Sequence, residues 1–361
     1  MAGTTRSAVL EGKERIVVRE FPLPEIGPDE ALVRVERAGV CGTDTKYFHG
    51  KLEHPTPLVL GHEILGRIAE IGERAAERYG LQVGDRVEVE SRVPCGLCHA
   101  CHTGVYRYCR AGRGYGTSIA ATEPPHIWGA YGEHLYVAPG SVLHRVDPGL
   151  PADAAAVIGI VANGIQWACY YGGVRVGDAV VVQGPGPEGL GCTIAAKEAG
   201  ASTVIVTGLA ADEPRLALAR ELGADHVIVA DQEDVLARVR ELTDDEGPQV
   251  VVDVTGSPRA LPLSLEMVRR QGTVVLGGLM GTSTATSLYT DQFIWKEIRL
   301  QGVFTHSAES TRAAVKLVET RRYPLERMVT HRFSLDEAEQ AVRAAGGELP
   351  DLKPIKTVIV P

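Results

Sequence analysis

The stretch Val180-Val-Val-Gln-Gly184-Pro-Gly186-Pro-Glu-Gly189-Leu-Gly191 decides how the second half of this chain folds. A continuous apolar run, Ala179–Val182, ends in glycines spaced G-x-G-x-x-G and leads into a helical stretch from Glu188 to Ala199. The spacing alone is a weak signal. After a strand and at the head of a helix it reads as a dinucleotide-binding loop. Gly184 permits the tight turn, Gly186 lets a pyrophosphate approach the backbone, and Gly189 lets helix and strand pack closely. The helix N-terminus favours the negative phosphates, and Leu190 is counted with the same cofactor loop.

Downstream the rhythm continues. Val204–Val206, His226–Val229, Val250–Val254 and Thr273–Leu276 are apolar runs, separated by helical stretches at Glu213–Leu222, Asp234–Leu242 and Arg259–Arg270. Apolar strands alternating with helices imply a parallel sheet covered on both faces, a doubly wound α/β domain of the Rossmann type. Ligands bind at the carboxyl ends of such strands, which places Gly208, Thr255 and Leu276 among the cofactor candidates. An NAD enzyme normally has Asp or Glu at the end of the second strand, and here Gly208 stands there. Its absence removes a repulsion against the 2′-phosphate of NADP, and Arg215 lies within reach in sequence. The balance favours NADP, with NAD left open.

Upstream, the first 150 residues are β-rich. Ser7–Val9, Ile16–Arg19, Glu30–Ala38, Gly66–Ile71 and Val83–Val89 are short alternating runs between Pro and Gly turn signals. They predict a small antiparallel, barrel-like domain with long loops. Near the end, Ser334 and Glu337 form a capping-box pair that starts a helix. Thr357–Val360 reads as a closing strand that returns to the first domain.

With 361 residues, the chain is long enough for two domains. A net charge of −9 and no basic run exclude a nucleic-acid face. Met1–Leu10 lacks a signal-peptide pattern, and the apolar stretch Val157–Val174 is broken by Asn163 and Gln166, so no membrane span and a cytoplasmic location are expected. Seven cysteines without a secretion signal point to metal or buried thiol roles rather than disulfides.

Four of them, Cys95, Cys98, Cys101 and Cys109, are spaced C-x2-C-x2-C-x7-C. Four thiolates on one loop suit a structural zinc with no open position. An iron–sulfur cluster is the competing reading of the first three. Such a zinc orders a lobe, about residues 91–112, and does no chemistry. A second, less complete constellation is Cys41-Gly-Thr43-Asp44 with Gly61-His62-Glu63, in which Cys, His and Glu are all possible zinc ligands.

Together these pieces resemble the zinc-dependent alcohol dehydrogenases of the medium-chain dehydrogenase/reductase superfamily, nearest the sorbitol and threonine dehydrogenase branch. The matching segments are Cys41–Asp44, Gly61–Glu63, Val83-Gly84-Asp85-Arg86-Val87, the cysteine lobe and the glycine loop, in the family's order. The resemblance implies a GroES-like catalytic domain (1–160 with 306–361) and a Rossmann domain (161–305). It implies a catalytic zinc on Cys41 and His62 that polarises an alcohol oxygen, a proton path through Thr43, and Asp44 steadying His62. Lys46 or His49 could extend that path, although a solvated role is the plainer reading of each. Thr255 and Leu276 would border the nicotinamide. Tyr115, His126 and Trp128 lie in a loop expected near the substrate, with packing the commoner role for each. A homodimer or homotetramer and a small alcohol or ketone substrate are also implied.

The chain departs from the family at the third zinc ligand, which falls on Gly159 or Ile160, neither able to bind metal. Either Glu63 takes that role, or the catalytic zinc is weak or absent. Three functions follow. One is a zinc-dependent oxidoreductase interconverting a secondary alcohol and a ketone with NAD(P). Another is an NADP-dependent reductase of a carbonyl or activated double bond without catalytic zinc. The last is a non-catalytic cofactor-binding homologue.

Overall fold

A computed structural model describes residues 3–281 and 284–361. Met1 and Ala2, at the head of the expected first domain, and residues 282–283, in the expected second, lie outside the described residues. The chain divides into two compact units. The first holds the segments up to Gly159, Val315–Arg321 and Leu325–Pro361; the second holds Ile160–Ala314 and Arg322–Pro324.

The first unit begins with β1 (Thr4–Gly12), β2 (Arg15–Pro22), β3 (Ala31–Val40), β4 (Leu58–Val59), β5 (Glu63–Ile71), β6 (Arg86–Val89), β7 (His134–Val137) and β8 (Leu143–Val146). The second unit carries β9 (Ala179–Gln183), β10 (Thr203–Gly208), β11 (His226–Val229), β12 (Val250–Asp253), β13 (Thr273–Leu276) and β14 (Arg299–Gly302). The chain then returns to the first unit with β15 (Val329–Ser334) and β16 (Lys356–Val360).

In the first unit β3 is the hub. It pairs antiparallel with β5, β7 and β16, inside a sheet ordered β15-β16-β3-β5-β6-β8. The expected antiparallel character holds except at one edge, where β15 and β16 run parallel because the helix Ala338–Ala345 connects them as a crossover. Ser334 and Glu337 do form a capping box, but the turn they start is a 3₁₀ turn, Leu335–Glu337, before that helix begins.

Among the described residues of the second unit, six strands are parallel, in the order β11-β10-β9-β12-β13-β14. This is the doubly wound 3-2-1-4-5-6 arrangement, with its switch point between β9 and β12. Val180–Val182, Val204–Val206 and Val250–Val252 are buried, as strands covered on both faces must be. One helical run, Ala152–Tyr171, is long and apolar enough to cross a membrane by length and composition, and 78% of its window is buried inside the protein. Its two polar breaks are partnered. Asn163 Nδ2 donates to Glu188 at 3.2 Å and Gln166 Oε1 accepts from Ser307 at 2.7 Å.

Candidate metal centres and cofactor edge

The cysteine lobe gathers four thiol donors. The ligand atoms of Cys95, Cys98, Cys101 and Cys109 lie within 4.8 Å of one another. The sulfur separations are 3.9 Å for Cys95–Cys101, 3.5 Å for Cys98–Cys101 and 3.9 Å for Cys98–Cys109. A tetrahedral zinc with Zn–S near 2.3 Å sets its sulfurs about 3.8 Å apart, so this cage has the right size. Backbone amides already point at the sulfurs: Cys95 N–H donates to Cys109 Sγ at 3.3 Å and Leu97 N–H to Cys95 Sγ at 3.5 Å. The amides of Arg110 and Cys101 hold the Cys98 thiol down at about 6. Such amide–sulfur bonds favour the thiolate that a metal requires.

The second centre is assembled from distant segments. Cys41 precedes the helix Gly42–Phe48, and its amide donates to Asp44 Oδ2 at 2.9 Å. Asp44 is fully buried. The same Oδ2 accepts from Tyr131 OH at 3.0 Å, while Oδ1 lies 3.2 Å from His62 Nδ1 in an oblique ion-pair contact. Burial opposes charge on His62, but the carboxylate of Asp44 and the sulfur of Cys41 outweigh it and raise the imidazole well above its usual pKa. With Nδ1 turned to Asp44, Nε2 is the nitrogen left for a metal. Thr43 Oγ1 sits 3.8 Å from Cys41 Sγ. The ligand atoms of Cys41, His62 and Glu63 come within 4.8 Å of one another.

Glu63 has a partner the sequence did not suggest. Lys356 Nζ donates to Glu63 Oε1 at 2.7 Å and to the carbonyl of Val40 at 2.9 Å. The register explains the contact. Gly39 in β3 stands opposite Glu63 in β5 and Val358 in β16. A Cβ on Gly39 would sit 2.0 Å from Glu63 Oε2. The missing side chain lets the carboxylate cross over β3 toward Lys356. A glycine inside a strand marks such a close approach, and a lysine in the apolar run Ile355–Val360 was the other available signal. Tyr131 was missed because only the fold brings it to Asp44. Tyr47 also belongs to this neighbourhood. Burial raises its phenol, and His62, Asp44, Arg92 and Cys41 act on it electrostatically.

Other expected residues lie elsewhere. His49 bridges Glu14 at 2.9 Å and Glu348 at 2.6 Å, and with Lys46 lines a solvent-facing hollow. Tyr115 is buried against Ser141, His126 stacks on Phe21, and Trp128 Nε1 donates to the Glu123 carbonyl. Each of these contacts lies within the first unit.

The glycine loop follows β9 directly. Gly184 has φ +100°, a turn that favours glycine. A Cβ on Gly189 would meet the Gly184 carbonyl at 1.9 Å, whereas one on Gly186 would meet nothing within 4 Å. Gly186 thus leaves open space before the helix Pro187–Glu198, where a pyrophosphate can approach. Leu190 is fully buried and its amide donates to the Gly186 carbonyl, so it packs the helix. At Gly208 a Cβ would lie 2.8 Å from Pro185 Cγ, so the glycine loop itself crowds out an acidic side chain there. Arg215 pairs with Asp212 at 3.2 Å. Thr255 closes a turn onto Asp253 with its amide and hydroxyl, and Leu276 ends β13 half-buried.

Comparison with known proteins agrees with this architecture. Residues 27–148 match the model of the alcohol dehydrogenase GroES-like domain, and residues 187–320 that of zinc-binding dehydrogenases. The chain is 40% identical over 362 residues to a Mycobacterium tuberculosis protein named probable alcohol dehydrogenase, covering 99% of this chain and 98% of that one. It is 31% identical to an erythritol/L-threitol dehydrogenase of Mycolicibacterium smegmatis, covering 93% of each. Its fold matches a zinc-binding dehydrogenase of Sinorhizobium meliloti bound to NADP, with a TM-score of 0.88, 27% identity and coverage of 99% and 100%. The chain belongs to the zinc-type alcohol dehydrogenases of the medium-chain dehydrogenase/reductase superfamily, a family of NAD(P)-dependent enzymes.

Proposed function

We propose that this chain interconverts a secondary alcohol, of polyol, amino-alcohol or sugar type, and its ketone by hydride transfer to or from NAD(P), with a zinc ion at Cys41, His62 and Glu63. The observation that carries this is the convergence of one thiol, one imidazole and one carboxylate within 4.8 Å. Three protein ligands of this chemistry suit a catalytic zinc that keeps a position open. When bound, the metal supplies Lewis acidity to the alcohol oxygen and lowers its pKa. The other roles fall to the chain. Asp44 fixes the ring of His62. Thr43 offers a hydroxyl beside Cys41 to take the alcohol proton outward. A carboxylate has lone pairs enough to serve Lys356 and an ion together, so Glu63 can do both. The cysteine lobe takes a second, structural zinc. In this reading the first unit is the catalytic domain and the second binds the cofactor.

NADP is the preferred cofactor, supported by the missing acid at Gly208 and the crowding from Pro185. A second copy of the chain is the expected partner. The edge strand β14 and the helix Asp291–Lys296 before it expose Ile294, Trp295 and Leu300, an apolar strip suited to pairing. A reducing cytoplasm suits seven free cysteines.

Metal analysis with an alcohol panel, run with NAD and NADP, tests the reading. Two zinc ions per chain, falling to one in Cys41→Ala, are expected. A single zinc that survives Cys41→Ala and is lost in Cys98→Ser would overturn it. That outcome would favour an NADP-dependent reductase without catalytic zinc. The Lys356 contact to Glu63 and the lack of a donor at Gly159 and Ile160 are the observations on that side.

A further inference from the structure

One carboxylate lies inside the cofactor loop itself. Glu188 occupies the first turn of the helix Pro187–Glu198, between the second and third glycines of the motif. Its Oε1 accepts from Asn163 Nδ2 at 3.2 Å, and Asn163 Oδ1 lies 3.1 Å from His306 Nδ1. These residues come from three separate segments of the second unit. Asn163 is in the helix Ile158–Gly164, Glu188 follows β9, and His306 follows β14. The two helices meet closely, since a Cβ on Gly164 would lie 2.1 Å from the Gly191 carbonyl. That approach sets Asn163 beside the first turn of the glycine helix.

The direction of the Glu188 side chain follows from topology. The six described strands of the sheet are parallel, so their carboxyl ends share one edge, and the switch point falls between β9 and β12. A dinucleotide binds across that point with its pyrophosphate at the first helix N-terminus. The adenosine ribose belongs with the end of β10, leaving the nicotinamide to the β12–β14 half. Glu188 is drawn toward this second half, because its partner Asn163 is tied to a residue beyond β14.

We propose that Glu188, held in place by Asn163, acts electrostatically on the nicotinamide end of the cofactor and favours its oxidised, positively charged form. The inference rests on the NAD(P)-dependent reading above and on no metal. A fixed negative charge stabilises a nearby cation in a low-dielectric site and does nothing comparable for the neutral reduced ring. Tighter binding of the oxidised form lowers the potential of the bound couple by about 30 mV per tenfold ratio. The bound cofactor is then a stronger hydride donor, which inclines the enzyme toward ketone reduction.

The test is a comparison of dissociation constants for NADP, NADPH, NAD and NADH, measured by fluorescence or calorimetry on the purified protein and on Glu188→Gln. The neutral amide should weaken the oxidised form about tenfold and change the reduced form less than twofold. Asn163→Ala should give the same selective loss at smaller size. Equal weakening of both forms would mean a hydrogen-bonding or packing role and would overturn the proposal, as would no change in either. Failure of the wild-type chain to bind any of the four would instead overturn the cofactor reading. Thermal melting of each variant without cofactor separates misfolding from a binding effect. If Glu188→Gln melts early, the Asn163→Ala ratio decides the matter by the same criterion.

Discussion

The cysteine lobe and the Cys41–His62–Glu63 centre each gather donors into a volume the size of one ion, yet they are held together by different means. In the lobe, the outermost ligands Cys95 and Cys109 are 14 residues apart, and Cys95 is exposed. On the proposed reading, it is the ion that supplies the order of this lobe. At the other centre, buried Asp44 takes Tyr131 from 87 residues away, and Glu63 takes Lys356 from 293 residues away. There the fold supplies the order, and on the proposed reading an ion would add only reactivity. A metal that builds structure and a metal that borrows it should respond in opposite ways to mutation.

The largest effect is expected in the lobe. Structural zinc in cysteine sites contributes an apparent ~10–16 kcal/mol to folding of the segment around it. Cys98→Ser should therefore lose one zinc and expose residues 91–112 to fast hydrogen exchange. Protection of β9–β14 should stay intact. At the other centre Cys41→Ala should lower kcat/KM by about a thousandfold or more, as expected for loss of an activating metal. Its melting temperature should stay within about 2 °C of wild type, since Cys41 is half-buried at the edge of the centre and lies outside the apolar core. A large drop in melting temperature would erase the contrast between the two centres.

Next in size is Lys356→Met. It leaves the carboxylate of Glu63 buried with no cation beside it, at a cost of about 3–5 kcal/mol in chemical denaturation. Bound zinc should recover part of that loss, because the ion replaces the missing positive charge. No such recovery would argue against Glu63 as a ligand. The smallest effect is expected for Asp44→Asn. Loss of the carboxylate behind a ligand histidine typically lowers metal affinity about 10–100-fold. Competition with a chelator should show this for one zinc while the affinity of the lobe stays unchanged.

The same contrast explains what could be read from the residues. The lobe was legible because its ligands are neighbours in sequence and their spacing is the geometry. The sheet of the second unit was legible because burial on both faces leaves uninterrupted valine runs. β14 was not, since Arg299-Leu-Gln-Gly302 is a mostly exposed edge without that pattern. The support around Glu63 depends on two strand registers meeting across β3, and no local pattern encodes that. What remained visible were anomalies: Gly39 in a strand, Lys356 among apolar residues and Glu188 within a glycine loop. Each marks a place where local preference yields to a long-range contact.

The closing strand β16 bears on how the molecule is made. It pairs with β3 and delivers Lys356, yet the entire second unit lies between them in the chain. During synthesis nearly all of the second unit, Ile160–Ala314, forms from one continuous stretch, with Arg322–Pro324 added shortly after. The first must wait with an open edge along β3 and an uncompensated Glu63 until residues 356–360 emerge. Pairing at such separation is slow, because a long loop must close before its contacts repay the entropy. On the proposed reading the lobe, by contrast, could capture zinc once Cys109 has left the ribosome. The order of events on the ribosome would then be structural metal first, cofactor domain second and catalytic centre last.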